Sequence, residues 1–169
     1  MALYFIQNGA AAGAAAPVAV TTGTAIKTML QVKPSSTVVG KIIEWGISFD
    51  GSAAATPIKV ELCETSGAAT VTASVAADIT KLDGNALAGG DPTTNLIQVG
   101  TSATGYTASN EGTPGTVREW DLQYIAPTNQ YIKQYPLGRE PVIQVDKFAR
   151  IRVTAGAAVN AYCYMIVEV

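Results

Sequence analysis

Residues 37–64, TVVGKIIEWGISFDGSAAATPIKVELCE, decide how this chain folds. Ile43, Trp45, Ile47 and Phe49 recur at every second position, with Glu44, Gly46, Ser48 and Asp50 between them. After the turn residues Asp50, Gly51 and Ser52, and the break at Thr56-Pro57, the alternation resumes: Ile58, Val60 and Leu62 against Lys59, Glu61 and Cys63. A period of two puts one set of side chains on one face of a strand, whereas a helix would scatter them around its circumference. The stretch therefore reads as two core strands. Glu44, Lys59 and Glu61 then fall on outer faces, as solvated or contact residues.

Working outward, residues 3–7 form a short strand, and residues 8–16 are a Gly/Ala tract without helical periodicity, closed by Pro17. Such a tract either packs closely against a neighbouring backbone or serves as a flexible, extended arm. Residues 18–22 are a weak strand, and residues 26–32 a clear one stopped by Pro34. The expected organisation is an N-terminal strand and arm over residues 1–25, then a single β-sandwich over residues 26–169. Residues 65–115 are small and polar, with short strands at 71–75 and 96–99 and turn chemistry at 82–85 and 89–92. In residues 116–126, Trp120, Leu122 and Tyr124 share the apolar phase against Glu119, Asp121 and Gln123, and Arg118 is out of phase, as at a bulge. A strand at 131–135 is followed by a rigid connection from Pro136 to Pro141, strands at 142–145 and 148–154, and a last strand at 160–169.

In residues 148–154, Ala149, Ile151 and Val153 oppose Arg150 and Arg152. The last strand is apolar on both faces, Cys163, Met165 and Val167 against Tyr162, Tyr164 and Ile166, so it belongs at the centre of a sheet with a covered outer side. About eight to ten strands with long connections specify an all-β sandwich, most simply a jelly roll. An immunoglobulin-like sandwich is disfavoured because Trp45 precedes Cys63, breaking the Cys…Trp…Cys order.

Charged residues make up 14% of the 169 residues, against about 25% in an ordinary soluble domain. A surface so short of charge is expected to face protein partners, in an oligomer or larger assembly. The net charge is −2 without a basic block, which removes the electrostatic footprint of a nucleic-acid binder. No Lys or Arg precedes Lys27, and Gln7, Asn8, Gly9 and Gly13 interrupt the apolar run. Neither a signal peptide nor a membrane span is expected. Cys63 and Cys163 are expected as reduced, buried thiols.

There is no histidine, which excludes Ser-His-Asp and Cys-His catalysis and His-based metal sites. Of the carboxylates, Glu119 with Asp121 reads as the solvated side of a strand, not as a hydrolytic pair. Asp83, Asn85 and Asp91 lack calcium-loop spacing. The chain is thus expected to be no enzyme and to use no cofactor or metal. Tyr124, Tyr131, Tyr135, Tyr162 and Tyr164 either contact a partner or a sugar, or cover the second face of the sheet within the domain.

Residues 39–52 (VGKIIEWGISFDGS), 98–111 (QVGTSATGYTASNE) and 125–142 (IAPTNQYIKQYPLGREPV) resemble small jelly-roll decoration, or cement, proteins of tailed bacteriophage heads. The resemblance implies a homotrimer seated on the major capsid protein, at the outer surface of the virion, bracing the shell. Leu3, Tyr4, Phe5 and Ile6 with the Gly/Ala arm are then the expected reaching element, joined by Tyr131, Tyr135, Tyr162 and Tyr164. The alternative is a phage fibre or host-surface module that binds carbohydrate through exposed aromatics and the loops of residues 65–115. A carboxylate glycan hydrolase is the third option.

Overall fold

In the computed structural model the described residues are 2–10, 16–52, 54–82 and 96–169. They form β1 (Leu3–Gln7), β2 (Val20–Thr21), β3 (Lys27–Val32), β4 (Gly40–Phe49), β5 (Ile58–Thr65), β6 (Thr70–Ala73), β7 (Ile79–Lys81), β8 (Gly105–Asn110), β9 (Val117–Ile125), β10 (Gln130–Gln134), β11 (Val142–Ile143), β12 (Phe148–Thr154) and β13 (Asn160–Glu168). The strands make two antiparallel sheets packed face to face. The first is 7-stranded, in the order β10-β4-β13-β1-β7, with β11 also on β4 and β2 also on β13. The second is 6-stranded, in the order β6-β8-β3-β12-β5-β9.

The two runs of residues 37–64 are both strands, and they lie in different layers. Residues 50–57 carry the chain across the sandwich, so β4 and β5 face each other through the core instead of pairing as a hairpin. Trp45, Ile47, Tyr4, Ile6, Cys163, Met165 and Val167 from the first sheet meet Leu30, Val60, Leu62, Ile151 and Val153 from the second, all buried. Each large aliphatic side chain taken out of water here contributes about 1.5–3 kcal/mol.

Register shifts occur on four strand pairs, β12–β3, β13–β4, β5–β9 and β6–β8, and two of them change the reading of β4 and β9. On β13, Ile166 pairs with Glu44 but Val167 pairs with Ile42. Ile43 is the extra residue, so Ile42 (0% exposed) takes the core position expected for Ile43. On β9, Leu62 pairs with Asp121 and Cys63 with Glu119, leaving Trp120 as the extra residue. Beyond it the phase is the reverse of the expected one: Asp121 is buried, while Leu122 and Tyr124 are exposed.

Residues 3–7 form the expected strand. β1 sits inside the first sheet, between β13 and β7. Ala2 and Val169 exchange backbone hydrogen bonds of 3.0 Å in both directions. Buried Asn8 fixes the end of β1, its Oδ1 accepting from Cys163 N (2.8 Å) and its Nδ2 donating to Ala161 O (3.1 Å). β1 and β2 therefore belong to the same sandwich as residues 26–169, with no boundary at residue 25. Residues 11–15 of the Gly/Ala tract, and the Asp83, Asn85 and Asp91 loop, lie outside the described residues.

Within residues 65–115, β7 and β8 are strands where turn chemistry was expected, and residues 96–99 make only isolated bridges, Ile97 to Pro34 and Val99 to Thr104.

Candidate interaction surface

Strand alternation sorts the expected contact residues at once. Tyr4 (1% exposed) and Ile6 (0%) point into the core, which removes them from any contact surface. Leu3, Phe5 and Gln7 point outward, beside Tyr162, Tyr164 and Ile166 of β13, whose alternate residues fill the core. Glu44, Gly46 and Ser48 of β4, then Gln130, Ile132 and Gln134 of β10, continue the same face. In register, Phe5, Ile166, Glu44 and Gln134 form one row, and Gln7, Tyr164, Gly46 and Ile132 the next.

Gly46 is required here. A Cβ on it would stand 2.6 Å from Cε1 of Tyr164, so the absence of a side chain lets the tyrosine ring lie across the strand. The Tyr164 ring stacks on Phe5 with centroids 5.3 Å apart, and Tyr162 follows at 6.4 Å. Both hydroxyls are tied down: Tyr164 donates to Glu44 Oε1 (2.6 Å) and Tyr162 to Gln7 Oε1 (2.9 Å). Burial, reinforced at Tyr164 by the Glu44 carboxylate, holds both phenols above their ordinary pKa, so they stay neutral. In these two rows Glu44 is the only ionisable group of a charged residue type, and it is engaged. An ion pair between Lys41 and Glu168, 3.7 Å, closes the strip beyond Phe5.

Past Tyr162 the strip opens into a groove of about 440 Å³ lined by Pro17, Val18, Ala19, Phe49, Asp50 and Ala161, among others. A smaller depression of about 120 Å³ lies between Tyr162, Tyr164, Ile132, Gln130 and Ser48.

Tyr131 and Tyr135 do not join this face. They alternate with exposed Ile132 and pack against the core from edge strand β10. The Tyr131 ring is 5.3 Å from that of Trp45, and its hydroxyl donates to Asp121 Oδ2 at 3.0 Å. Asp121 also receives Gln123 Nε2 (2.8 Å) and lies 3.2 Å from Lys133 Nζ. Burial and then Asp121 push the Tyr131 phenol up to about 12. These groups seal the sandwich where β9 and β10 meet. Asp121 is a structural acceptor, not the solvated carboxylate expected from its phase.

The outer face of the second sheet is covered by the chain itself over β3 and β12, whereas Leu122 and Tyr124 of β9 stay exposed on it. Arg150 (0% exposed) and Arg152 point outward from β12 yet are buried: Glu111, from the stretch over residues 110–116, reaches Arg150, and Arg152 pairs with Glu61 at 3.5 Å. Arg150 Nε and Nη2 donate to Thr28 Oγ1 (2.9 and 2.7 Å), and Nη2 pairs with the Glu111 carboxylate. Thr28 Oγ1 donates to Glu111 Oε2 at 2.7 Å, and Thr28 N donates to Oε1. Gln31 clasps the other loop, accepting from Ala69 N (2.8 Å) and donating to Ala103 O (2.6 Å). Glu61 is buried as well. Burial alone would raise its carboxyl, but Lys59 Nζ at 2.8 Å and Arg152 hold it below the ordinary value. Sequence periodicity places Arg150, Arg152 and Glu61 on an outer face correctly, but carries no sign that distant loops cover them.

One projecting element remains. Arg139 N donates to Pro136 O at 2.9 Å, with Gly138 at φ 81°, closing a tight turn with Leu137 at its tip. Glu140 accepts from Gly138 N at 2.9 Å and stiffens it. Leu137 is 98% exposed.

Among the described residues, no group of three or more Cys, Asp or Glu is placed to hold a metal ion. Cys63 and Cys163 are free and buried. Burial raises both thiols, Cys63 to about 11, so neither is a ready thiolate. No family model, curated protein or solved structure matches the chain.

Proposed function

We propose that this chain is a structural, non-catalytic virion protein of a tailed phage: a decoration protein that lies on the outside of the capsid as a homotrimer and binds the major capsid protein. The observation that carries the reading is the outer face of the first sheet. It is an aromatic and aliphatic strip of Leu3, Phe5, Tyr162, Tyr164, Ile166 and Ile132, nearly free of charge, on a sandwich whose other face its own loops cover over β3 and β12. Aromatic anchors in a neutral setting suit a protein contact of standard size, about 1,600 Å² in all. Repeated over a symmetric shell, modest contacts sum to firm attachment.

Strand order supports the jelly roll that the resemblance implies. The long strands run β10-β4-β13-β1 in one layer and β3-β12-β5-β9 in the other, and successive long strands mostly alternate between layers, as two nested Greek keys require.

The test is stoichiometric binding of purified protein to empty phage heads, with head disruption temperature as the second readout. Ile132 is 54% exposed, so Ile132→Asp should fold normally and lose head binding. Binding unchanged in that variant would remove the first sheet from the contact. A glycan-binding reading is favoured by one observation, the depression flanked by tyrosine rings, Gln130 and Ser48. Titrating the protein with neutral oligosaccharides while following the Gly46 and Ile132 amides by NMR separates it from the first.

A further inference from the structure

We infer that copies of this chain join head to tail, the Leu137 turn of one entering the Val18–Phe49–Tyr162 groove of the next. The chain carries both halves of the contact. Leu137 is 98% exposed, on a turn whose shape is fixed before any partner arrives. Pro136 and Pro141 flank it, Arg139 N closes on Pro136 O, and Glu140 braces Gly138. A large apolar side chain displayed on a preordered turn loses little freedom on burial, which is the property of an interface anchor. The groove is its counterpart: about 440 Å³, apolar on most of its lining, and bordered by Val18, which is 82% exposed.

The same molecule cannot satisfy itself. Tyr135 N bonds to Ile43 O and Ile42 N to Pro141 O, so the turn is rooted beside the Ile42–Ile43 end of β4. The groove lies at the opposite end of that strand, at Phe49 and Asp50. Six residues of extended chain separate them, about 20 Å. Knob and socket are different patches of one surface, and such a contact is heterologous: each copy uses its turn on one neighbour and its groove on another.

Charge agrees with this pairing. Arg139 is exposed beside Leu137 and has no ion-pair partner among the described residues. Asp50 stands at the rim of the groove, its carboxylate held by Asn160 N and Nδ2 at 3.1 Å each. Seating Leu137 in the groove brings the guanidinium toward that carboxylate. The inference shares with the proposed function only the premise that copies assemble. It is tested without phage heads, so either can fail alone.

The experiment is light scattering on size-exclusion fractions of the wild type, Leu137→Asp, Val18→Asp, and an equimolar mixture of the two variants. Leu137 and Val18 are both surface residues, so far-ultraviolet circular dichroism should match the wild type and report intact folding. The wild type is expected as an oligomer, and each variant as a monomer, with association weakened at least about tenfold. The mixture should give a heterodimer. The Val18→Asp copy retains its knob, the Leu137→Asp copy retains its groove, and one intact contact joins them. A monomeric wild type, an unchanged mass in either variant, or a mixture that stays monomeric overturns the inference.

Discussion

Glu111→Gln tests the covered face of the second sheet most directly. The substitution keeps the shape of the side chain and an acceptor for Thr28, and removes only the charge facing Arg150. Side-chain exposure is 0% for Arg150 and 22% for Glu111. Arg150 cannot turn to water, and burial already lowers its pKa against the pull of Glu111. Stranding a buried charge costs about 3–5 kcal/mol. Since the Glu111 side is partly wet, the lower end applies, about 3 kcal/mol. Set against a typical domain stability of about 5–15 kcal/mol, that is a large fraction. With a urea slope of about 2 kcal/mol/M, the midpoint should fall by about 1.5 M. Urea titration followed by the fluorescence of buried Trp45 reads this directly. Arg150→Met should cost less, about 1 kcal/mol, because Glu111 can then hydrate. Adding Glu111→Gln to Arg150→Met should cost little more. The reasoning is refuted if Glu111→Gln lies within about 0.5 kcal/mol of wild type, or if the two substitutions simply add.

Gly46→Ala should displace the Tyr164 ring, since the new Cβ would meet it at 2.6 Å. The expected cost is about 1–3 kcal/mol, with loss of the ring-current shifts between Tyr164 and Phe5 in NMR spectra. Glu61 has its folded pKa lowered from 4.5, so its stabilisation is full above pH 4.5 and lost as pH falls through the lower folded value. Melting temperatures taken through that acid range should therefore decline less steeply in Glu61→Gln. The Tyr131 phenol is raised from 10.0 to about 12, so its contribution is full below pH 10 and lost as pH rises through about 12. Tyr131→Phe should flatten that alkaline limb in melting experiments and lose about 1 kcal/mol at neutral pH with the bond to Asp121.

The layered all-β fold was readable because a period of two is a local property, and β1 and β12 fall at the residues the pattern indicates. What local pattern misses is the extra residue. Nothing in IIEW says whether Ile42 or Ile43 takes the bulge; the pairing partner decides, and it lies more than a hundred residues away. The same holds at Trp120, where the bulge inverts the reading of Asp121 and Tyr124. At the N-terminus the pattern marks the strand at residues 3–7 but not its place inside the first sheet, between β13 and β7. Of the expected contact residues, Leu3, Phe5, Tyr162 and Tyr164 share one face. Tyr4 and Ile6 are core, and Tyr131 and Tyr135 close the sandwich edge. The buried Arg150 has no local sign at all, because a loop supplied by residues 110–116 hides it.

The position of β13 has a consequence for how this protein comes into being. It lies between β4 and β1, so among the described residues it is the only strand joining β10-β4 to β1-β7. Until residues 160–168 have been synthesised, the first sheet is two unconnected halves, and Trp45 and Ile6 lack the wall they pack against. β1, made early, must wait with one edge open while the rest of the chain emerges, a slow and aggregation-exposed interval. Completion of the first sheet thus waits on the synthesis of β13. A product truncated before residue 160 would be recognisably unfinished to a protease, and subunits with the full sandwich would be the ones left to assemble.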